Sequence, residues 1–204
     1  IKHETNKYRN NILEIWDMNR KKYTKELSSI LKFNLRDTYK ICVVHPNLDV
    51  VETDFSSNII TIGKRIITRD KDNFLTYLVY KIVKNEISRL KTEERDILDV
   101  VVELAITNEL YTRVSKESKY KIGKKDLREL KEKIYPYWLM YLGVPSSDFE
   151  KYMIRDNIFF DKNKYNYEKL LKTVDLYSFI AFLIKNKKTI FRTKLVPVEN
   201  IEVL

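Results

Sequence analysis

The amino-acid sequence predicts an α+β fold, a mostly helical single domain over residues 1–204 with a small antiparallel meander at about residues 39–62. Apolar residues recur at intervals of three and four on both sides of that segment, as they do in amphipathic helices. Within the segment, short β-branched runs alternate with turn residues. A hydrophobic content of 44% beside 33% charged residues is typical of a folded globular chain.

The first predicted element is an N-terminal helix over residues 5–35, which contains no glycine or proline and has a continuous apolar face. A small sheet over residues 39–62 follows, with strands at 39–44, 50–55 and 59–62 joined by His-Pro-Asn and Ser-Ser-Asn turns. Two core helices follow at about 70–91 and 94–114, so residues 70–114 form a helix pair.

The C-terminal helical part is predicted over residues 124–204. Its first helix, 124–142, contains Pro136, which should kink it because proline lacks a backbone donor. Gly143 and Pro145 mark a turn before a helix that runs through Met153. A long helix at 167–185 and an edge strand at 190–196 complete the chain, and no linker divides it into separate domains.

Polar residues interrupt the buried stripes of the helix pair. Asn85, Glu86 and Arg89 continue apolar rows of the first helix, and Glu109 continues an apolar row of the second. Glu103 instead falls on a polar row with two aspartates, which predicts that it is solvated. An unpaired buried carboxylate is costly, so Glu86 and Glu109 need a partner.

The stretch Asn85-Glu86-Ile87-Ser88-Arg89 resembles an HExxH motif with its zinc ligands replaced. That motif places two histidines on one helix face to hold zinc, while the glutamate activates water. Together with Asn108-Glu109 on the next helix, residues 58–113 resemble the gluzincin (thermolysin-like) metallopeptidases, in which an Asn-Glu pair supplies the third ligand. The resemblance implies a strand beside the motif helix. Since the two histidines are missing, it implies a non-catalytic descendant without metal or cofactor.

We hypothesise that the Arg89 guanidinium replaces the zinc charge between Glu86 and Glu109, because its planar donors suit two carboxylates. The alternative is an ordinary, partly exposed helix edge on which Glu86 pairs with a lysine. The degenerate site thus comprises Asn85, Glu86, Arg89, Asn108 and Glu109.

A formal net charge of +10 predicts an acidic partner, either nucleic acid or protein. A basic cluster near the C-terminus follows the aromatic residues Tyr177, Phe179 and Phe182. Aromatic and basic groups therefore alternate, as they do where bases stack. Its nucleic-acid-binding candidates are Lys185, Lys187, Lys188, Phe191, Arg192 and Lys194. The alternative is a solvated lysine face.

Other kinds of site are absent from the sequence. The three glycines form no phosphate-binding loop, and no Gly-x-Ser-x-Gly elbow occurs. The single cysteine, Cys42, excludes an internal disulfide and is interpreted as a core residue, and two isolated histidines make no metal centre. No segment is long and apolar enough for a membrane span, so we expect no membrane partner and a cytoplasmic location.

The sequence therefore predicts a non-catalytic, metallopeptidase-like binding or interaction module. The alternative function is a basic helical nucleic-acid-binding protein unrelated to peptidases. The oligomeric state stays open.

Overall fold

The computed structural model describes residues 2–35, 38–54, 57–63, 71–116, 125–156 and 174–192. It confirms an α+β, mostly helical fold with a small three-stranded sheet. The regular elements are α1 (Lys2–Leu31), β1 (Lys40–Val43), β2 (Val50–Asp54), β3 (Ile59–Gly63), α2 (Lys71–Ser88), α3 (Arg95–Val102), a π-helical segment (Glu103–Leu110), α4 (Tyr111–Ser115), α5 (Arg128–Tyr141), α6 (Phe149–Asp156), α7 (Leu176–Lys185) and α8 (Lys187–Arg192). Short 3-10 turns lie at Pro46–Leu48, Lys125–Leu127 and Ser146–Asp148.

The N-terminal helix is slightly shorter at its end than predicted. It stops at Leu31, because Lys32 takes a left-handed backbone conformation with φ of 56°. The buried face of α1 includes Ile15, Tyr23, Leu27 and Ile30, at the spacing of one helix face. This face packs into the main hydrophobic core with residues of the later helices.

The sheet has the strand order β1-β3-β2, with β1 parallel to β3 and β2 antiparallel to it. The expected antiparallel meander is therefore wrong for β1, which pairs with β3 and not with β2. The reason is burial, since Ile60 and Ile62 of β3 are fully buried and the strand with the most buried row takes the centre. Gly63, the last residue of β3, lies close to the segment that joins β1 to β2. A Cβ at this position would lie 2.5 Å from Cγ2 of Val44.

Cys42 is exposed, which corrects its interpretation as a core residue. It lies on β1, an edge strand of this three-stranded sheet, and neighbouring Lys40 is exposed as well. Periodicity predicted the strand correctly but could not show that it would lie at an edge, where one side of the pleat faces solvent.

The second helix of the predicted pair is continuous from α3 to α4 but contains the π-helical segment. Its wider i→i+5 winding changes which residues face the core. Glu103 is buried and its Oε2 lies 3.7 Å from Nζ of Lys131, so the prediction that Glu103 is solvated was wrong. Every residue from 100 to 106 is buried, so the helix is enclosed on all sides there and none of its rows is solvated.

The C-terminal helices pack through aromatic side chains. Trp138 and Tyr141 of α5 stack on each other, and both contact Phe179 of α7, with ring centroids 5.0 to 5.9 Å apart. Helix α7 begins at Leu176, where Asp175 forms a capping box with Ser178. The early part of the predicted 167–185 helix lies outside the described residues.

The predicted edge strand at 190–196 is wrong over its first residues, because α8 runs to Arg192. The rest of that range lies outside the described residues. Within the part of the chain that the structure describes, no helix is both long and apolar enough to cross a membrane.

Candidate functional site

The candidate site is centred on Glu86, in the last turn of α2. Glu86 is only 1% exposed. The hydroxyl of Tyr177 donates to its Oε1 at 3.0 Å, and that of Tyr39 donates to Oε2 at 3.3 Å. Nη1 of Arg89 lies 3.5 Å from Oε2. The carboxylate is thus held from α7, from the residue before β1 and from the turn that follows α2, which satisfies the requirement for hydrogen bonds to a buried charge.

The two positions that an HExxH motif would give to zinc ligands share one partner. Nδ2 of Asn85 and Nη2 of Arg89 both donate to Oδ1 of Asn58, at 3.1 and 2.7 Å. Asn58 directly precedes β3 and has a left-handed backbone with φ of 55°, which asparagine tolerates better than most residues. A turn residue of the sheet therefore ties these two side chains together.

The site is closed on its inner side and open on its outer side. Asn85 is fully buried, whereas the side chain of Arg89 is 43% exposed. Glu86 is therefore no exposed edge residue, as the alternative interpretation required, and Arg89 is a cation with one side in solvent rather than an internal one.

Burial raises the pKa of Tyr39, and the neighbouring Glu86 carboxylate raises it further. The Asn85 amide and the Arg89 charge act in the opposite direction but only in part. The hydroxyl of Tyr39 therefore stays protonated at neutral pH and remains a donor to Glu86.

The second half of the predicted site lies on the π-helical segment. Asn108 and Glu109 are both buried there. Oε1 of Glu109 accepts a hydrogen bond from Nε of Arg113 at 2.7 Å, and Arg113 also donates to Oγ of Ser29 on α1 at 2.8 Å. Glu109 thus has a cation from its own helix and does not depend on Arg89 for charge balance.

No group of three or more His, Cys, Asp and Glu side chains within the described residues is arranged to hold a metal ion. His45 lies in the turn before β2, where its Nε2 is 2.9 Å from Oε2 of Glu4. Two tyrosine hydroxyls and a guanidinium contact Glu86, and groups of these kinds are not typical zinc ligands.

The basic cluster is divided by the structure. Lys185 and Lys188 are exposed, whereas Lys187 forms an ion pair with Glu94. The side chains of Phe191 and Arg192, and all of Lys194, lie outside the described part of the chain.

The aromatic residues before that cluster are used internally. Phe179 is in the core, Phe182 lies 6.0 Å from Tyr137 between ring centroids, and Tyr177 lies 4.6 Å from Phe33. Phe179 is thus committed to the core, and Tyr177 and Phe182 are partly buried by these contacts.

Three residues that hold the site were missed by the sequence reasoning, namely Tyr39, Asn58 and Tyr177. The chain has 14 tyrosines, and none of these three residues falls in a recognisable spacing with Glu86. The only available signal was the burial argument, which requires that a buried Glu86 find donors from elsewhere in the fold.

Comparison of the chain with protein-family models gives no match. Comparisons with curated proteins and with solved structures give no match either.

Proposed function

We propose that this chain is a non-catalytic, metallopeptidase-like protein that binds an acidic partner beside Arg89. One observation carries the proposal: Asn85 and Arg89, at the two zinc-ligand positions of an HExxH pattern, are both hydrogen-bonded to Asn58. A guanidinium at a ligand position also repels a metal cation. The ligand positions are thereby occupied by the protein's own contacts.

The state of Glu86 supports the absence of catalysis. A general base must reach the proton that it removes, within about 3 Å or through one water. Both oxygens of Glu86 are engaged by tyrosine hydroxyls, and the residue is almost fully buried. Glu86 here organises three elements of the fold instead of activating water.

The exposed part of Arg89 supports a binding role. Its side chain contacts Glu86 and Asn58 and is 43% exposed, so it presents positive charge to solvent. A protein with a formal net charge of +10 also attracts acidic partners over a long range at low ionic strength.

The first experiment measures zinc and peptidase activity. We expect the purified chain to hold well under one zinc per chain and to cleave no peptide. The double variant Asn85→His with Arg89→His should take up zinc if the ancestry is real, and adding Arg113→Gln should tighten the zinc site, because it releases Glu109 as a third ligand.

The matched control is Asn85→Gln with Arg89→Gln, which disturbs the same two positions without supplying imidazole. Stoichiometric zinc in the unmodified protein would overturn the proposal. If the triple variant that combines Asn85→His, Arg89→His and Arg113→Gln stays folded but takes up no zinc, the proposed metallopeptidase ancestry is wrong.

The second candidate function is nucleic-acid binding. Two exposed lysines, Lys185 and Lys188, at the end of α7 and in α8 favour it. If they contact phosphates, Lys185→Ala with Lys188→Ala should flatten the salt dependence of DNA or RNA binding by about 0.9 log units per lost contact. The charge-matched control is Lys21→Ala with Lys25→Ala on the exposed face of α1. If the two double variants show the same salt dependence of binding, the lysines of the cluster are an ordinary solvated face and do not contact phosphates.

A further inference from the structure

Within the described residues, strand β1 has one side of its backbone paired with β3 and no strand on its other side. The amides of Lys40 and Val44 donate to carbonyls of Asn58 and Ile62 at 3.0 and 2.9 Å. Since hydrogen-bonding directions alternate along a strand, the amides and carbonyls of Ile41 and Val43 point away from β3. Among the described residues no strand pairs with this outer edge.

The side chains of β1 show that its inner face is incomplete. Tyr39, Ile41 and Val43 alternate onto one face, and the register places Ile41 beside Ile60 and Val43 beside Ile62. Tyr39 and Val43 pack against the apolar cluster beneath the sheet, whereas Ile41 between them is 39% exposed. A β-branched apolar side chain is thus left partly uncovered on the face that is otherwise buried.

Two exposed cations among the described residues lie near this edge. Lys40 is exposed on the other face of β1, and Arg89 lies near the start of the strand, where it contacts Asn58 beside Lys40. The exposed acids of the sheet, Glu52 and Asp54, are on β2 at the opposite edge.

We propose that the outer edge of β1 binds an extended acidic peptide segment of a partner protein as a fourth, antiparallel strand. The open amides and carbonyls of Ile41 and Val43 supply main-chain hydrogen bonds, as in strand addition generally. An apolar residue of the peptide covers Ile41, and the acidic residues on either side of it lie on the face of Lys40, with the positive charge of Arg89 near the start of the strand. This rests on the proposed binding function and adds the chemistry of the partner.

The test uses a fluorescein-labelled octapeptide that alternates glutamate and valine, with fluorescence anisotropy as the readout. The key variant is Ile41→Pro, which removes an outward amide but no donor to β3, and proline is tolerated at such edge positions. We expect it to weaken peptide binding by about tenfold or more, while Lys40→Ala weakens it by about threefold.

Two controls separate binding from folding. Ile41→Thr keeps the amide and the β-branched shape, so it should retain affinity within about threefold, and Lys21→Ala removes one charge far from β1 and should have no effect. The melting temperature of Ile41→Pro should equal that of the unmodified chain.

Affinity that does not change in a folded Ile41→Pro variant would overturn the proposal. So would a dimer in sedimentation velocity that Ile41→Pro dissociates, because β1 would then pair with a second copy. Tighter binding of a peptide that alternates lysine and valine would contradict the proposal that this edge binds an acidic segment. None of these measurements involves zinc. A negative result here can therefore be distinguished from a negative result for the proposal that the chain is a non-catalytic, metallopeptidase-like protein.

Discussion

Two buried carboxylates in this protein, Glu86 and Glu103, are stabilised in different ways. Glu86 is held by two tyrosine hydroxyls and by Arg89, whose side chain is 43% exposed. Glu103 has Lys131 at 3.7 Å, and the side chains of that pair are only 7% and 5% exposed. Its Oε2 makes no hydrogen bond within the described part of the chain.

The two regions differ in the solvent exposure of their cations, which is 43% for Arg89 and 5% for Lys131. A cation with one side in water can exchange solvent for a ligand at little cost to the fold, whereas a fully enclosed pair cannot. Although each region pairs a buried glutamate with a cation, of the two cations Arg89 is the exposed one.

The largest effect that we expect is at the enclosed pair. Lys131→Ala should lower the free energy of unfolding by about 3 to 5 kcal/mol, because it leaves Glu103 buried without its cation. The measurement is urea denaturation followed by circular dichroism. The double change Lys131→Met with Glu103→Leu should recover most of the loss, and a single variant as stable as the parent would show that the pair is not closed.

The next effect is at the hydroxyls around Glu86. Tyr177→Phe should cost about 1.5 to 3 kcal/mol, since it removes a hydrogen bond to a charged group and leaves one oxygen of the carboxylate with fewer donors. Tyr77→Phe is the matched control, because Tyr77 is exposed on α2 and should change stability by less than about 0.5 kcal/mol. Equal losses for the two variants would refute the assignment of the Tyr177 hydroxyl to Glu86.

High pH should affect both regions through their tyrosines. Burial raises the pKa of Tyr80, helped by the charges of Asp99 and Glu103, and burial also raises that of Tyr39. Above pH 10 the unfolded chain loses these protons while the folded chain keeps them, so stability falls as pH rises.

Tyr80→Phe should therefore make that fall less steep, by at most about 1.4 kcal/mol per pH unit for one proton. Urea titrations between pH 9 and 11 measure this slope. A variant slope identical to that of the parent would indicate that Tyr80 ionises equally in both states.

The smallest effect is expected at the open cation. Arg89→Ala should cost about 1 kcal/mol or less in stability, because half of the side chain is already solvated and Glu86 keeps both tyrosine donors. Denaturation of this variant beside Lys131→Ala compares the two regions directly. A loss of 3 kcal/mol or more would mean that Arg89 acts as an internal cation after all.

The success of the sequence reasoning varied with the range of the interactions involved. Helix α2 and the burial of Glu86, Asn85 and Glu109 followed from apolar periodicity, because amphipathic rows report a local property of the chain. The same method failed for Glu103, since every residue from 100 to 106 is buried and the helix has no solvated row there. The pairing of β1 with β3 was also missed, because the partner of a strand depends on which strand is buried most.

The sequence by itself determined that the fold is α+β and mostly helical, that a polar group interrupts the buried face of α2, and that no internal disulfide forms. These follow from composition and from the order of neighbouring residues. Only the tertiary structure decided that Tyr39, Asn58 and Tyr177 converge on Glu86 and its neighbours, and that Arg89 faces solvent. The physical reason is that a buried charge requires several donors at once, and here they come from parts of the chain that only packing brings together.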